Sequence, residues 1–198
     1  MRTLAADRRF ALGGVVGPIA FVAAWAIGGF VADDYSPVED AISELAAVGA
    51  STRLLMTTGF VAYGIGVGLF AVALRHALPG RAWLAAAVSA LATLGVAATP
   101  LDHSAFVDDL HGVFAGTGYV ALAALPLLAR PYLSTPRARG ASVVAAAVSG
   151  ACLALTLTGD AHGLFQRVGL GAGDIWIVAT AIALLARSAL RATLPAAD

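Results

Sequence analysis

Lysine and asparagine are absent from this chain of 198 residues, charged residues make up only 12% of it, and it has a single cysteine. Without lysine there is no Schiff-base chemistry, and without asparagine there is no site for N-linked glycosylation. The lone Cys152 excludes an internal disulfide framework. Soluble domains carry about 25% charged residues, and nucleic-acid-binding domains have a basic surface, whereas this chain has a net charge of zero. The composition therefore argues against a soluble domain and against a nucleic-acid partner.

Long apolar runs take the place of charge. Hydrophobic residues make up 60% of the chain, and the mean hydropathy is +0.86. A helix of about 20 apolar residues crosses the hydrocarbon core of a lipid bilayer. The first run is longer than the apolar region of a signal peptide, so we expect it to remain as a helix. The sequence predicts an all-α, polytopic membrane protein with one domain, residues 1–198, that is a bundle of six transmembrane helices. The predicted spans are 10–32, 54–74, 82–98, 112–129, 141–158 and 174–186.

The arginines are distributed unequally between the two ends of these spans. Ten fall at the end that carries both chain termini, namely Arg2, Arg8, Arg9, Arg75, Arg81, Arg130, Arg137, Arg139, Arg187 and Arg191. Only Arg53 and Arg167 fall at the other end, together with every acidic residue except Asp7 and Asp198. Because arginine-rich loops stay in the cytoplasm, we expect both termini to be cytoplasmic and the acidic loops to face outward. The alanine- and arginine-rich composition is typical of a GC-rich bacterial genome, which indicates the bacterial cytoplasmic (inner) membrane.

The first outer loop, 33–53, contains a helix signal. Ser36-Pro37-Val38-Glu39 has the pattern of a capping box with proline at the first helical position. Apolar residues then recur on one face at Val38, Ile42, Leu45 and Val48, and Gly49 can end the helix. This pattern predicts a short amphipathic helix that lies on the membrane surface.

Pairs of glycines four residues apart occur in three of the predicted spans. They are Gly13 and Gly17, Gly64 and Gly68, and Gly112 and Gly116. Such pairs let helix backbones approach closely inside a membrane. We expect them to join helices of one chain rather than to form a dimer, although the sequence leaves the oligomeric state open.

The interiors of the predicted spans bear on transport. No aspartate, glutamate, arginine or histidine falls near the middle of any of the six. Proton pumps and ion-coupled carriers place such a group there. The predicted boundaries therefore argue against a proton-driven transporter and leave a small-molecule facilitator open.

Polar residues instead gather at the outer ends of the spans, above all in the stretch Thr99–Gly112. The predicted polar cluster consists of Glu44, Asp102, His103, Asp108, His111, Asp160, His162, Gln166 and Arg167. If residues 105–111 are helical, Asp108 and His111 lie on the same face. A cluster of this kind predicts binding of a lipid, a small apolar ligand or a partner at the outer surface.

A metal-dependent hydrolase is the alternative. His103, His111 and His162 lie at one predicted depth, and three imidazoles with an open fourth position suit a divalent metal such as zinc. The metal would activate water against an ester or amide at the lipid surface. Against this, no two histidines have the spacing of H-E-x-x-H, and neither Ser43 nor Ser104 lies in a G-x-S-x-G elbow. Whether the protein is an enzyme stays open.

Several short motifs resemble a known family. They are ISELAAVGA (42–50), TPLD (99–102), His111-Gly112, and GLFQR (163–167) with Trp176 beyond it. Together they resemble domain-of-unknown-function family 998, small six-helix membrane proteins of bacteria and archaea. The resemblance implies that Ser43, Glu44, Asp102, His111, Gln166 and Arg167 are family features on the outer side. A more remote similarity is to alkaline-ceramidase-type membrane zinc hydrolases, whose seven spans and HxxxH pair this sequence lacks.

Arg167 stands out because positive charge is scarce among the outer acids. We expect its guanidinium to bind an outer-loop carboxylate, that of Glu44 or Asp102, and so to join two loops by a charge-assisted hydrogen bond.

Overall fold

The computed structural model describes the backbone of residues 2–193 and the side chains of residues 9–186. The described part is all helical, without a β-strand. Its six α-helices are α1 (Arg2–Val31), α2 (Arg53–Ala77), α3 (Ala82–Ala98), α4 (Ala105–Ala129), α5 (Pro136–Thr156) and α6 (His162–Thr193). Two short 3-10 helices, Ile42–Ala46 and Arg130–Tyr132, lie in the connections. The all-α fold class predicted from the sequence is confirmed.

The helices form a closed ring in chain order. Each packs against the next along the chain, and α6 packs against α1 to close the ring. Because the connections are short, consecutive helices run in opposite directions. We name the two ends of the bundle by their loops: the acidic face carries 32–52, 99–104 and 157–161, and the arginine face carries 78–81 and 130–135. Each loop therefore lies at one of two opposite ends of the bundle.

Five of the helices are long and apolar enough to cross a membrane, with membrane-compatible stretches Arg9–Val31, Arg53–Ala77, Ala105–Tyr132, Pro136–Thr156 and His162–Ala186. The remaining helix, Ala82–Ala98, is apolar but shorter. Its 17 residues extend about 25 Å at 1.5 Å per residue, the lower limit for a span. The chain is a multi-pass membrane protein.

The fourth and sixth helices begin well before the boundaries that the apolar pattern predicts. The fourth starts at Ala105 rather than 112, because the Ser104 side chain caps it by accepting a hydrogen bond from Val107 N. Asp108 in its first turn also suits the positive end of the helix dipole. The sixth starts at His162 rather than 174, so the expected boundary was wrong by three turns. Asp174 consequently lies inside a membrane-spanning helix and not at its end.

The amphipathic helix expected in the first outer loop is the second correction. The helix there is a 3-10 helix of five residues, Ile42–Ala46. It does not lie on the surface, because Ile42 and Leu45 are each only 1% exposed and pack in the core of the bundle. Val38 and Val48, which the pattern put on the same apolar face, are exposed. The loop therefore folds inward and covers the ring at the acidic face.

Two of the three glycine pairs make the contacts expected of them. Gly66 packs on the first pair, so that a Cβ on it would lie 2.6 Å from Gly13 O and 2.7 Å from the Cα of Gly17. Gly64 packs against Leu94 of α3. The third pair, Gly112 and Gly116, has open space where a Cβ would be. The first two pairs thus join helices within the chain, and the third does not.

The alternation of the helices puts Arg75, Arg81, Arg130, Arg137 and Arg139 at the arginine face, as the sequence predicts. Arg53 and Arg167 lie at the acidic face. The side chains of Arg2, Asp7, Arg8, Arg187, Arg191 and Asp198, which the orientation argument also used, lie outside the described residues.

Candidate functional site beneath the acidic face

Arg167, in the second turn of α6, fastens the first loop onto the bundle. Its Nη1 donates hydrogen bonds to Pro37 O at 2.8 Å, to Asp40 O at 3.0 Å and to Gly163 O at 2.9 Å. Its Nη2 donates to the Tyr35 hydroxyl. The loop passes so close to α6 that a Cβ at Gly163 would overlap the Asp40 carbonyl. One side chain thus joins the first loop, at Pro37 and Asp40, to the first turn of α6.

The prediction that Arg167 binds a carboxylate was therefore wrong, although Arg167 does attach the first loop to α6. Its hydrogen bonds go to carbonyl and hydroxyl oxygens and not to the carboxylate of Glu44 or Asp102. Glu44 instead accepts a hydrogen bond from Ala41 N at 3.0 Å, within its own loop. The guanidinium also lies 5.5 Å from the ring centroids of both Trp25 and Tyr35, where cation–π attraction adds to the hydrogen bonds.

Tyr35 completes this attachment. Its hydroxyl accepts from Arg167 and donates to Ala41 O at 3.0 Å. Burial raises the pKa of the Tyr35 hydroxyl above its ordinary value, and the neighbouring Arg167 guanidinium opposes part of that rise. The hydroxyl therefore keeps its proton at neutral pH and remains a donor to the loop.

Gln166, the neighbour of Arg167, makes a second attachment. Its Oε1 accepts a hydrogen bond from Ile42 N at 2.6 Å, and its backbone oxygen accepts one from the Tyr119 hydroxyl at 2.5 Å. Two residues before Gln166, Leu164 N donates a hydrogen bond to Val38 O at 2.9 Å. The GLFQR segment thus holds the buried 3-10 helix over the end of the ring.

The outermost members of the predicted polar cluster are solvated. Glu44 and Asp102 are exposed and line an open cleft of about 330 Å³ together with Asp33, Asp34 and Asp40. Asp160 and His103 are also exposed. These groups form the surface of the acidic face, outside the interior of the ring.

The three histidines proposed as metal ligands are not brought together. Within the described residues, no group of three or more His, Cys, Asp or Glu side chains is arranged to hold a metal ion. His162 bonds through Nδ1 to Thr156 O at 3.0 Å, where it ties the end of α5 to the start of α6. His103 is on the surface and His111 is buried. The zinc centre considered as the alternative is therefore not assembled among the described residues, because the three imidazoles lie in different surroundings.

His111 is the one histidine directed into the bundle. It is 5% exposed, and its Nδ1 lies 2.6 Å from Thr99 O. Because a carbonyl oxygen can only accept, Nδ1 carries the proton, and in the neutral ring Nε2 is an acceptor. That buried Nε2 has no hydrogen-bond partner among the described side chains and backbone groups. Asp108, one turn earlier, is half-buried, and its Oδ1 likewise lacks a partner there.

His111 also lines a pocket. Its volume is about 60 Å³, and its walls come from the 3-10 helix and from α1, α2, α3, α4 and α6. Aromatic and aliphatic groups dominate the lining: Phe21, Ile42, Phe60, Val96, Phe114 and Leu170. The polar atoms come from Ser43, Tyr63, Ser89, Thr93, His111, Tyr119 and Gln166. The structure thus brings together three predicted family residues, Ser43, His111 and Gln166, at a single cavity.

One buried carboxyl group belongs to Asp174, which the sequence analysis placed at the start of the last span. Asp174 is 3% exposed, and neither carboxyl oxygen has a hydrogen-bond partner among the described residues. It faces the Tyr63 hydroxyl, which also lacks a partner there and lies near Ser89. A signal for Asp174 was present in the sequence. A span of 174–186 would extend only about 20 Å, too short for a bilayer, so the helix had to begin earlier.

The chain matches, over residues 15–183, the family described as protein of unknown function (DUF998). The chain belongs to the DUF998 family. The family resemblance drawn from the short motifs is thereby confirmed, and the matched region of this DUF998 protein contains the whole pocket, Asp174 and Arg167. Comparisons with curated proteins and with solved structures gave no match.

Proposed function

We propose that this DUF998 protein binds a small, mainly apolar molecule that carries one hydrogen-bond donor, such as an alcohol. The observation that supports this is the unpartnered Nε2 of His111 beside a pocket with apolar walls. A buried acceptor without a partner costs about 1–3 kcal/mol, and a ligand hydroxyl removes that cost. Concave apolar pockets with a few convergent polar groups are the usual form of small-molecule sites.

The size of the pocket restricts the ligand. A volume of about 60 Å³ accommodates a few water molecules or a short apolar group, and not a whole phospholipid. The ligand is therefore a small molecule dissolved in the bilayer, or the short end of a larger lipid. Phe21, Phe60 and Phe114 would contact its apolar part while His111 accepts its donor.

The proposed location is the bacterial cytoplasmic membrane, with the acidic face and the mouth of the pocket outside. The excess of arginine at the opposite face supports this orientation. A ligand would then enter from the outer leaflet, past the loop that Arg167 holds in place.

A photoreactive probe tests the proposal. We expect a straight-chain alcohol that bears a diazirine to label pocket residues of the purified protein, as mapped by mass spectrometry, and unlabelled alcohol to compete. Ala115→Leu fills the pocket and should lower that labelling about tenfold, since an added side chain in a close-packed space excludes the ligand. His111→Asn should weaken it, because asparagine can keep the bond to Thr99 O but has no atom at Nε2.

Ala147→Leu is the matched control, because Ala147 lies exposed on α5 and outside the pocket lining. It should label like the wild type. Labelling confined to outward-facing residues in all four proteins would contradict the proposal.

A further inference from the structure

The proposed ligand site does not explain why Asp174 is buried, because Asp174 does not line the pocket. It lies twelve residues into α6, about 18 Å along the helix from the acidic face and near the middle of a bilayer. An ionisable residue at that depth carries a considerable energetic cost and usually has a function. Ion pairing does not explain it, since no described arginine or histidine bonds to either carboxyl oxygen.

The groups around Asp174 are neutral. Tyr63 of α2 faces it, Ser89 of α3 lies next to Tyr63, and Tyr119 of α4 lies in the same region. From α5, Cys152 lies near Tyr119. Between Phe10 and Val31, α1 contains no titratable residue, and the nearest charge on α6 itself is Arg167, two turns away and bound to the loop. A carboxylate here would be an unpaired buried charge, so the group carries a proton at rest.

Tyr63 connects this carboxyl to the pocket. It lines the pocket that reaches toward His111 and the acidic face, whereas Asp174 is behind it. The Tyr63 hydroxyl and the Asp174 carboxyl face each other, and neither has a hydrogen-bond partner among the described groups. Two unsatisfied hydroxyl-type groups side by side form a link along which a proton can move.

We infer that Asp174 is a proton-binding site in the membrane interior, which exchanges its proton with the acidic face through Tyr63 and water in the pocket. On release, the O–H bond of the carboxylic acid breaks and its proton bonds to the Tyr63 oxygen. The original phenolic proton of Tyr63 passes to a pocket water, which leaves as hydronium. Tyr63 is again a neutral phenol, and it donates a hydrogen bond to the carboxylate that remains.

This inference requires no ligand in the pocket, so it can hold or fail independently of the proposed function. The test is infrared difference spectroscopy of the full chain in lipid nanodiscs after a jump from acidic to alkaline pH. We expect loss of a protonated-carboxyl band in the wild type. Asp174→Asn, which keeps the shape and removes the acid, should lack the band. Asp109→Asn, a change at an exposed acid of α4, should retain it.

Tyr63→Phe separates the relay from the site. We expect the same band at equilibrium but a loss that is about tenfold slower or more, because a positioned proton-transfer group is missing. Tyr132→Phe, at an exposed tyrosine of the arginine face, should leave the rate unchanged. A wild type without the band, or a band that persists in Asp174→Asn, overturns the proton site. Equal rates in Tyr63→Phe and the wild type overturn the relay.

Discussion

Arg167 holds the first loop on α6 through the geometry of its guanidinium group as well as through its charge. A guanidinium offers several donors in one plane, and here they reach three carbonyl oxygens and a phenol while two aromatic rings flank the group. The sequence indicated that this residue matters, because arginine is scarce at that face. It could not indicate the partners, since the exposure of the Pro37 and Asp40 carbonyls depends on how the loop folds inward.

Arg167→Lys and Arg167→Ala should both destabilise the protein. Lysine keeps the charge but cannot bind the separate carbonyls, and alanine removes all of these side-chain hydrogen bonds. Hydrogen bonds to charged groups are worth about 1.5–3 kcal/mol, so we expect a loss on the order of 2–4 kcal/mol for alanine and somewhat less for lysine. Thermal unfolding of the detergent-solubilised protein measures this.

Arg137→Ala is the control for this prediction, because Arg137 is exposed at the opposite face. It should unfold close to the wild-type temperature. Equal melting of the Arg167 and Arg137 variants would show that the network around Arg167 contributes nothing measurable.

At the scale of the helix, prediction succeeded where apolar composition alone sets the boundary. The bounds expected for α3, 82–98, are those observed, because Arg81 and Pro100 flank a run without charged residues. The starts of α4 and α6 were missed because polar residues in their first turns resembled loop sequence. The 3-10 helix was missed for a different reason. Its apolar residues pack inward against the core of the bundle, so tertiary contacts rather than helical periodicity determine its conformation.

The contact between α1 and α2 depends on Gly66. We expect Gly66→Ala to lower the free energy of unfolding by about 1–3 kcal/mol, because the new Cβ would push the two helix backbones apart. Gly116→Ala adds the same methyl group to a helix at a site with open space around it, and it should be neutral or slightly stabilising. Unfolding in detergent compares the two variants directly. Equal stability changes in the two variants would show that the close packing at Gly66 contributes nothing measurable.

For the whole molecule, the unequal charge of the two faces is the feature from which we infer its orientation in the membrane. The structure confirms that the described helices alternate, so each loop belongs to one face or the other. The alternation followed from the number of apolar runs, which the sequence predicts well because every backbone polar group in a bilayer must be satisfied within a helix. The polar groups that line the pocket did not follow, since their position depends on which side of each helix turns inward.

Labelling of single cysteines tests the orientation. In a Cys152→Ala background, Ala105→Cys should react with an impermeant thiol reagent added outside intact cells, and Ser134→Cys should not. Both positions are exposed, so accessibility in the folded protein does not favour either. The two sites lie at opposite faces. The reverse pattern of labelling would place the acidic face in the cytoplasm and turn the proposed pocket toward the cell interior.

The closure of the ring by α6 against α1 also bears on biosynthesis. Helices enter the bilayer in the order in which the ribosome makes them, and α6 comes after the other five. Until it arrives, Tyr63 and His111 line an unclosed arc, and neither the carboxyl of Asp174 nor the guanidinium of Arg167 is present. Asp174, which is costly to place in lipid, thus enters the bilayer after the five helices that precede α6. A chain arrested before α6 would expose the inner side of that arc to lipid, which gives a membrane quality-control protease a surface that the finished protein hides.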